Sequence, residues 1–203
     1  AGAYVDQWGS RETFREVNIR GTENALRAAR RAGVGRFVHV GTEAVLAEGQ
    51  PLVDVDESRP LADDPISLYA WSKGEAEERV REANGEELTT VVVRPRLIWG
   101  RGDTSVLPGL VEAIEEGKFA WMSGGEYLTS TCHVENVVEG MLRAAESGQG
   151  GEVYFLTDGE DVEFREFVGE MVRSQGVEVP DQSIPLGLAK IAARISEGIW
   201  RTF

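Results

Sequence analysis

The stretch Tyr69-Ala-Trp-Ser-Lys73 stands near the start of a helical pattern, and the rest of the chain is organised around it. Ser67 precedes it as a potential N-cap and Gly74-Glu-Ala-Glu-Glu-Arg79 continues it, which predicts a helix to about Ala83. Residues i and i+4 share one helix face, so the phenol and the ammonium point into the same space. A cation beside a phenol favours the phenolate, which predicts an acid or base that works near neutral pH. The alternative is an exposed helix pair that stabilises the helix by only a few tenths of a kcal/mol.

Strand-like and helical patterns alternate on both sides of this helix. Such alternation, with nearly continuous apolar strands, predicts a parallel sheet in an α/β fold. The predicted strands are Arg36–Val40, Thr89–Arg94 and Glu152–Thr157. The other predicted helices are Ser10–Ala32, ended by Gly33, and the stretches 105–117, 133–146, 163–174 and 186–200.

Composition excludes several classes of protein. The 203 residues are 41% hydrophobic and 28% charged, which is typical of a globular chain. A formal charge of −14 argues against nucleic acid or an anionic membrane as the main partner. No apolar run approaches the ~20 residues of a membrane span, and no signal peptide opens the chain. The single Cys132 fits a reducing compartment, so we expect a cytoplasmic protein.

Five stretches, in the same order along the chain, resemble the extended short-chain dehydrogenase/reductase family, also called the NAD-dependent epimerase/dehydratase superfamily. The resemblance is closest to its 3β-hydroxysteroid dehydrogenase-like branch. Two residues depart from the family pattern: Glu43 replaces a small residue, and Trp99 replaces the more frequent Tyr. The five stretches are Asn18-Ile-Arg-Gly-Thr-Glu-Asn24, Val38-His-Val-Gly-Thr42, Asp56-Glu-Ser-Arg-Pro60, Tyr69–Lys73 and Arg94-Pro-Arg-Leu-Ile-Trp-Gly100.

The resemblance implies a catalytic role for three side chains. Tyr69 would be the general acid/base for a hydroxyl or carbonyl group, and Lys73 would lower its pKa and hold the nicotinamide ribose. Thr42 would form a hydrogen bond with the same substrate oxygen. These roles agree with hydride transfer to or from a nicotinamide while the proton passes through the phenol.

The resemblance also implies where the cofactor, NAD or NADP, would lie. Thr42 and the segment after Arg94 follow strand ends, where open α/β sheets bind ligands. Pro95, Leu97 and Ile98 would face the nicotinamide, in addition to the contacts of Tyr69 and Lys73 with the cofactor. Asn18 would lie at the floor of the site.

Each of these residues also has a simpler interpretation. Thr42 after a glycine can be a turn residue, and Asn18 can be an exposed helix residue. Arg94 can pair with one of the 35 acidic residues, and His133 can be a packing residue at a helix start. With two histidines in the chain, neither a metal site nor a Ser-His-Asp site is supported, and we predict no metal.

The glycine-rich turn that cradles the cofactor phosphates in this family is missing. Gly33-Val-Gly35 precedes a strand and lacks a third glycine. We therefore expect a fragment that is itself inactive. Residues 1–100 would be the C-terminal half of a Rossmann-type domain that carries the catalytic residues. Residues 101–203 would be a mixed region with helices of a small C-terminal substrate lobe and a returning sheet strand at about 151–158.

Three functions follow from these expectations. The leading one is an NAD(P)-dependent oxidoreductase of the hydroxysteroid dehydrogenase type, which acts on a small-molecule alcohol or ketone. The alternatives are an NDP-sugar epimerase or dehydratase, with a sugar-nucleotide substrate, and a truncated non-catalytic binding or regulatory domain. Family members often dimerise through the Tyr-x-x-x-Lys helix and its neighbour, which here implies a homodimer through residues 11–32 and 67–84.

Overall fold

The computed structural model describes residues 3–5, 9–185 and 187, so the predicted helix at 186–200 lies outside the described residues. The helices in the described part are α1 (Arg11–Phe14), α2 (Gly21–Arg31), α3 (Leu68–Glu82), α4 (Val106–Glu115), α5 (Val134–Ser147) and α6 (Phe164–Arg173). The strands are β1 (Arg36–Val40), β2 (Thr89–Pro95), β3 (Ile98–Trp99), β4 (Trp121–Met122), β5 (Leu128–Thr129), β6 (Cys132–His133), β7 (Val153–Leu156), β8 (Val162–Glu163) and β9 (Ser183–Ile184). None of the helices in the described ranges has the length and apolar character that a membrane span needs.

The chain divides into two compact units. The first comprises the described residues of Ala1–Ile98 and Cys132–Asp158, and the second comprises those of Trp99–Thr131 and Gly159–Phe203. Each unit has a buried apolar cluster of its own.

A parallel three-stranded sheet in the order β1-β2-β7 is the centre of the first unit. Successive side chains of β2 point to opposite faces, so Val92 packs with residues of α2 and α3 while Val91 and Val93 pack with Ala144 of α5. The predicted α/β fold with a parallel, Rossmann-type sheet is therefore confirmed. The apolar pattern of β1 predicted a buried strand, but β1 is only half-buried, because it lies at one edge of the described sheet.

The predicted helix from Ser10 to Ala32 forms, but it is not regular. The Ser10 side chain caps it by accepting a hydrogen bond from the Thr13 amide, and Gly33 ends it with φ +66°. Between α1 and α2 lies a π-helical segment, Arg15–Arg20, which the sequence did not predict. Single π turns are frequent at functional sites, and this one carries the buried Asn18.

The second unit is built around aromatic side chains. Trp121 is buried against Val168 and Val172 of α6, and its indole N–H donates to the Pro180 carbonyl oxygen at 2.9 Å. Phe119 and Phe164 meet the Trp121 ring edge to face. Here β4 pairs in parallel with β9, and β5 pairs antiparallel with β8. Strands of two residues are too short to show a hydrophobic period, which is why the sequence did not predict them.

A buried ion pair joins α3 to β2 in the first unit. The Arg94 guanidinium donates from Nε to Glu77 Oε2 at 3.0 Å and from Nη2 to Glu77 Oε1, and both side chains are at most 1% exposed. Arg94 therefore has the structural role that the simpler interpretation gave it. Removal of one partner of such a pair leaves an uncompensated charge away from water.

We predict that Glu77→Gln lowers the free energy of unfolding by roughly 3–5 kcal/mol. Chemical denaturation of the protein that contains this chain, followed by circular dichroism, measures the change. Glu75→Gln is the matched control, because Glu75 lies on the same helix in a partly exposed pair with Arg79 and should cost less than about 1 kcal/mol. Equal losses in the two variants would contradict a special contribution from the buried pair.

Candidate active site

The first turns of α3 bring Tyr69 and Lys73 to the carboxyl end of β1. Ser67 begins the helix by accepting a hydrogen bond from the Ala70 amide at 3.1 Å, as predicted. Lys73 is only 6% exposed, and its ammonium donates to the carbonyl oxygen of Val40 at 2.8 Å. The pair is therefore not the exposed helix pair of the simpler interpretation.

Two further ionisable side chains lie close to Lys73. Burial lowers the pKa of Lys73, and the nearby Glu77 carboxylate opposes this by raising it. Burial, and secondarily the Lys73 charge, lowers the pKa of His39 to about 3, so this imidazole is neutral. His39 Nε2 is buried and has no hydrogen-bond partner among the described residues. Sequence reasoning missed His39 and Glu77, although Glu77 is one helical turn after Lys73 on the same face.

Thr42 lies just beyond β1, where it caps the 3₁₀ turn Glu43–Leu46. Its hydroxyl oxygen accepts a hydrogen bond from the Ala44 amide at 3.3 Å and donates to Glu43 Oε2 at 3.1 Å. The same hydroxyl is one of the groups that lower the pKa of Tyr69, so it lies near the phenol. Thr42 thus has the turn role of the simpler interpretation and is also a neighbour of Tyr69.

The net pKa of Tyr69 is raised, and not lowered as the sequence predicted. Burial of the phenol is the largest cause, the Thr42 hydroxyl opposes it, and the Glu43 carboxylate adds to it. Lys73 is not among the causes, although it lies one helical turn further along α3. The expected lowering of the Tyr69 pKa by Lys73 is therefore wrong for this structure, in which the phenol stays protonated at neutral pH.

Asn18 lies under these residues and is not exposed. It is 4% exposed, its side-chain amide donates to Ser72 Oγ at 2.9 Å and to the Tyr4 carbonyl at 3.0 Å, and its Oδ1 accepts from the Tyr4 amide at 2.7 Å. Ser72 in turn donates to the carbonyl oxygen of Tyr69 at 3.0 Å. The Asn18 side chain thus connects the π-helical segment to α3 between the two candidate catalytic residues. Sequence reasoning missed Ser72, which has no signal of its own.

The segment after Arg94 follows β2, the neighbour of β1 in the sheet. Pro95 is buried and pairs with Leu156, whereas Leu97 is half-buried and Ile98 is 41% exposed. Because β1 and β2 are parallel, their carboxyl ends meet at one edge of the sheet. Ile98, three residues after β2, is the exposed apolar side chain of this segment.

His133 is the N-cap of α5, the helix-start role that the simpler interpretation gave it. Its Nδ1 accepts a hydrogen bond from the Glu135 amide at 3.4 Å, and its own amide donates to Asp158 Oδ1 at 2.7 Å. The adjacent Cys132 is buried, and burial together with the Asp158 charge raises its pKa to about 11. A thiol with that pKa is an inert packing residue at neutral pH.

The first unit has a parallel sheet with helices on both faces, and the helix after its edge strand carries Tyr and Lys four residues apart. These two features together define the extended short-chain dehydrogenase/reductase class. Residues 2–186 match the 3-beta hydroxysteroid dehydrogenase/isomerase family. The chain belongs to this family.

Individual relatives agree with this assignment. The chain is 54% identical over 188 residues to a 4-hydroxy-2-methyl-3-oxo-4-farnesyl-3,4-dihydroquinoline-1-oxide ketoreductase of Stigmatella aurantiaca, with 93% of this chain and 56% of the relative covered. It is 32% identical over 207 residues to a 2-alkyl-3-oxoalkanoate reductase of Stenotrophomonas maltophilia, with 98% and 62% covered. The chain thus spans less than two thirds of the length of these relatives.

A solved structure shows the same fold. The dTDP-glucose 4,6-dehydratase DesIV of Streptomyces venezuelae, in a double-mutant form with NAD bound, superposes with a TM-score of 0.73 at 25% identity. The superposition covers 91% of this chain and 59% of that one.

The raised pKa of Tyr69 can be measured directly. The phenolate absorbance that the unmodified protein shows and Tyr69→Phe lacks reports the ionisation of Tyr69. We predict that this difference titrates with a midpoint above the pKa of ~10 of a free tyrosine. Burial destabilises the charged phenolate, so the folded state binds this proton more tightly than the unfolded state does. The stability that Tyr69 contributes should therefore fall as the pH rises through about 10, and Tyr69→Phe should remove that part of the fall. A difference titration centred well below 10 would contradict this prediction.

Proposed function

We propose that the protein containing this chain is an NAD(P)-dependent ketoreductase of the 3-beta hydroxysteroid dehydrogenase/isomerase family. The observation that carries the proposal is the convergence of the Tyr69 phenol and the Thr42 hydroxyl at the carboxyl end of β1, with the Lys73 ammonium one turn further along α3. Two relatives, a ketoreductase and a 2-alkyl-3-oxoalkanoate reductase, support the same reaction class.

The raised pKa of Tyr69 favours catalysis in the direction of reduction. A protonated phenol is the form that can donate a proton to a carbonyl oxygen. When bound, the cofactor would supply a hydride to the carbonyl carbon of the substrate. Tyr69 would donate its proton to the carbonyl oxygen, which gives an alcohol. The phenolate left behind would regain its proton from solvent.

The residues that would hold the cofactor in this chain belong to its nicotinamide end. Lys73 would contact the ribose, and Pro95, Leu97 and Ile98 would contact the ring. The ammonium at the strand end and the half-exposed Ile98 fit these roles. No glycine-rich turn follows a strand in this sequence, so residues other than those of this chain would bind the phosphates.

The names of the relatives suggest the substrate class. One acts on a keto compound with a farnesyl group and the other on a 2-alkyl-3-oxoalkanoate. We therefore propose a ketone substrate with a long apolar substituent. Because the fold is similar to that of DesIV, the alternative is an NDP-sugar dehydratase or epimerase in which the Tyr69 phenol is again the acid/base.

We place the protein in the cytoplasm. This location rests on the single cysteine of the chain, Cys132, which is buried and inert.

A homodimer through residues 11–32 and 67–84 is the proposed assembly. α2 and α3 lie side by side and share an ion pair between Glu23 and Arg79. Basic and acidic side chains alternate on this outer surface, which suits a self-complementary two-fold interface. The basic side chains are Arg27, Arg30, Arg31 and Arg79, and the acidic ones are Glu23, Glu75 and Glu82.

We predict that reversal of two of these charges, Arg27→Glu with Arg31→Glu, converts the dimer to a monomer. The new negative charges would then repel the acidic side chains of the same surface on the second copy. Light scattering gives the mass of each form. Arg143→Glu on the exposed surface of α5 is the control and should leave the mass unchanged. A monomeric mass for the unmodified protein would contradict the proposed assembly.

The proposed reaction predicts a loss of turnover without a loss of fold. Tyr69→Phe removes only the phenolic proton, and we expect the rate of ketone reduction to fall at least ~100-fold, the lower range for a general acid. The assay measures NADH and NADPH consumption by the full-length protein with 3-oxoalkanoates, a 3-ketosteroid and NDP-sugars. Tyr154→Phe is the matched control, since that hydroxyl only accepts a hydrogen bond from the Gln149 amide and should be dispensable for the reaction. Undiminished reduction by Tyr69→Phe would refute the assigned acid.

A further inference from the structure

The hydrogen-bonding capacity of Thr42 is almost fully used by the protein itself. A hydroxyl has one proton to donate and two lone pairs that accept. The Thr42 proton goes to Glu43 Oε2 at 3.1 Å, and one lone pair accepts from the Ala44 amide at 3.3 Å. One lone pair therefore remains, and it is available only to a group that brings its own proton.

Glu43 is in turn anchored on its other oxygen. Oε1 forms an ion pair with the Arg96 guanidinium, while Oε2 accepts from Thr42. The Glu43 side chain is 18% exposed, so water has limited access to the carboxylate. Because Arg96 follows β2 and Glu43 follows β1, this pair connects the ends of the two strands that carry the site.

We propose that Glu43, held by Arg96, is a positioning residue that takes the Thr42 proton and so fixes Thr42 as a hydrogen-bond acceptor. The inference rests on the proposed function and deepens it. A ketone oxygen has no proton to give Thr42, so Tyr69 is the member of this trio that can donate to it. The alcohol formed by reduction does have a proton, and it can donate that proton to the free lone pair of Thr42. Glu43 thus lets the site distinguish the alcohol from the ketone.

The charges around Tyr69 make the proposal testable by pH. Glu43, paired with Arg96, approaches from the 3₁₀ turn, and Lys73 lies one turn further along α3 with Glu77 beyond it, paired with Arg94. His39 on β1 is neutral. Among these groups, Glu43 is the one whose negative charge raises the pKa of Tyr69.

The test compares the pH dependence of kcat/KM for alcohol oxidation, in which the phenolate is the base, between variants of the full-length enzyme. Glu43→Gln removes the negative charge, so we expect the midpoint of the profile to move to lower pH by about one unit. Arg96→Met leaves Glu43 uncompensated, and we expect the midpoint to move to higher pH. Glu139→Gln on the exposed surface of α5, where Glu139 pairs with Arg143, is the control and should leave the midpoint in place.

A second measurement examines the route through Thr42. In Glu43→Ala the Thr42 proton is freed, so KM for the alcohol should rise relative to KM for the ketone by up to about tenfold. In the Thr42→Val background the same substitution should leave that ratio unchanged, because the hydroxyl is no longer there.

The outcomes separate this inference from the proposed function. An unmodified enzyme that neither reduces ketones nor oxidises alcohols would overturn both. An active enzyme whose pH profile is the same in Glu43→Gln, or moves in the same direction in both charge variants, would overturn the inference alone. A merely structural Glu43 would lower kcat without moving the midpoint. If Glu43→Gln does not fold, the direction of the Arg96→Met shift decides.

Discussion

The hydrogen bond from the Lys73 ammonium to the Val40 carbonyl fixes the position of α3 over the end of β1. Apolar contacts alone would let a helix slide along a sheet, since burial is non-directional. One turn later, Glu77 and Arg94 fasten the same helix face to β2. Because Tyr69 lies one turn before Lys73, these two polar contacts set the distance between its phenol and the strand ends.

This construction has an electrostatic consequence that depends on burial. Removal of water from the helix start raises the pKa of the Tyr69 phenol and lowers the pKa of the Lys73 ammonium. In both side chains, burial stabilises the neutral form relative to the charged form. The phenol is left in the form needed for proton donation. The Lys73 ammonium, held by a backbone carbonyl, anchors α3 and is not among the groups that shift the pKa of Tyr69. The geometry implied by the Tyr-x-x-x-Lys motif and the direction of the pKa shift are therefore separate questions, and only the first can be answered from spacing.

The sequence predicted those parts of the structure that depend on local pattern. The parallel sheet and the limits of α3 follow from period, capping and chain order, whereas the proximity of Thr42 to Tyr69 was implied by the family resemblance. The Glu77–Arg94 pair could not be predicted, because 17 residues separate its members and any of the many carboxylates could have been the partner. The π-helical segment was missed for a related reason. Its extra residue is stabilised by tertiary contacts of Asn18, which has no local preference for that geometry.

Glu43 is the position at which the family resemblance is least informative. A carboxylate beside a phenol opposes the ionisation that alcohol oxidation requires, so at this position it works against one direction of the proposed reaction. The Arg96 pair limits that penalty, but a small residue would avoid it entirely. A local conflict of this kind, at a strand end beside the candidate acid, is the type that natural proteins retain at functional sites. Of the two side chains that depart from the family pattern, Glu43 is the one that contacts Thr42 on one oxygen and Arg96 on the other.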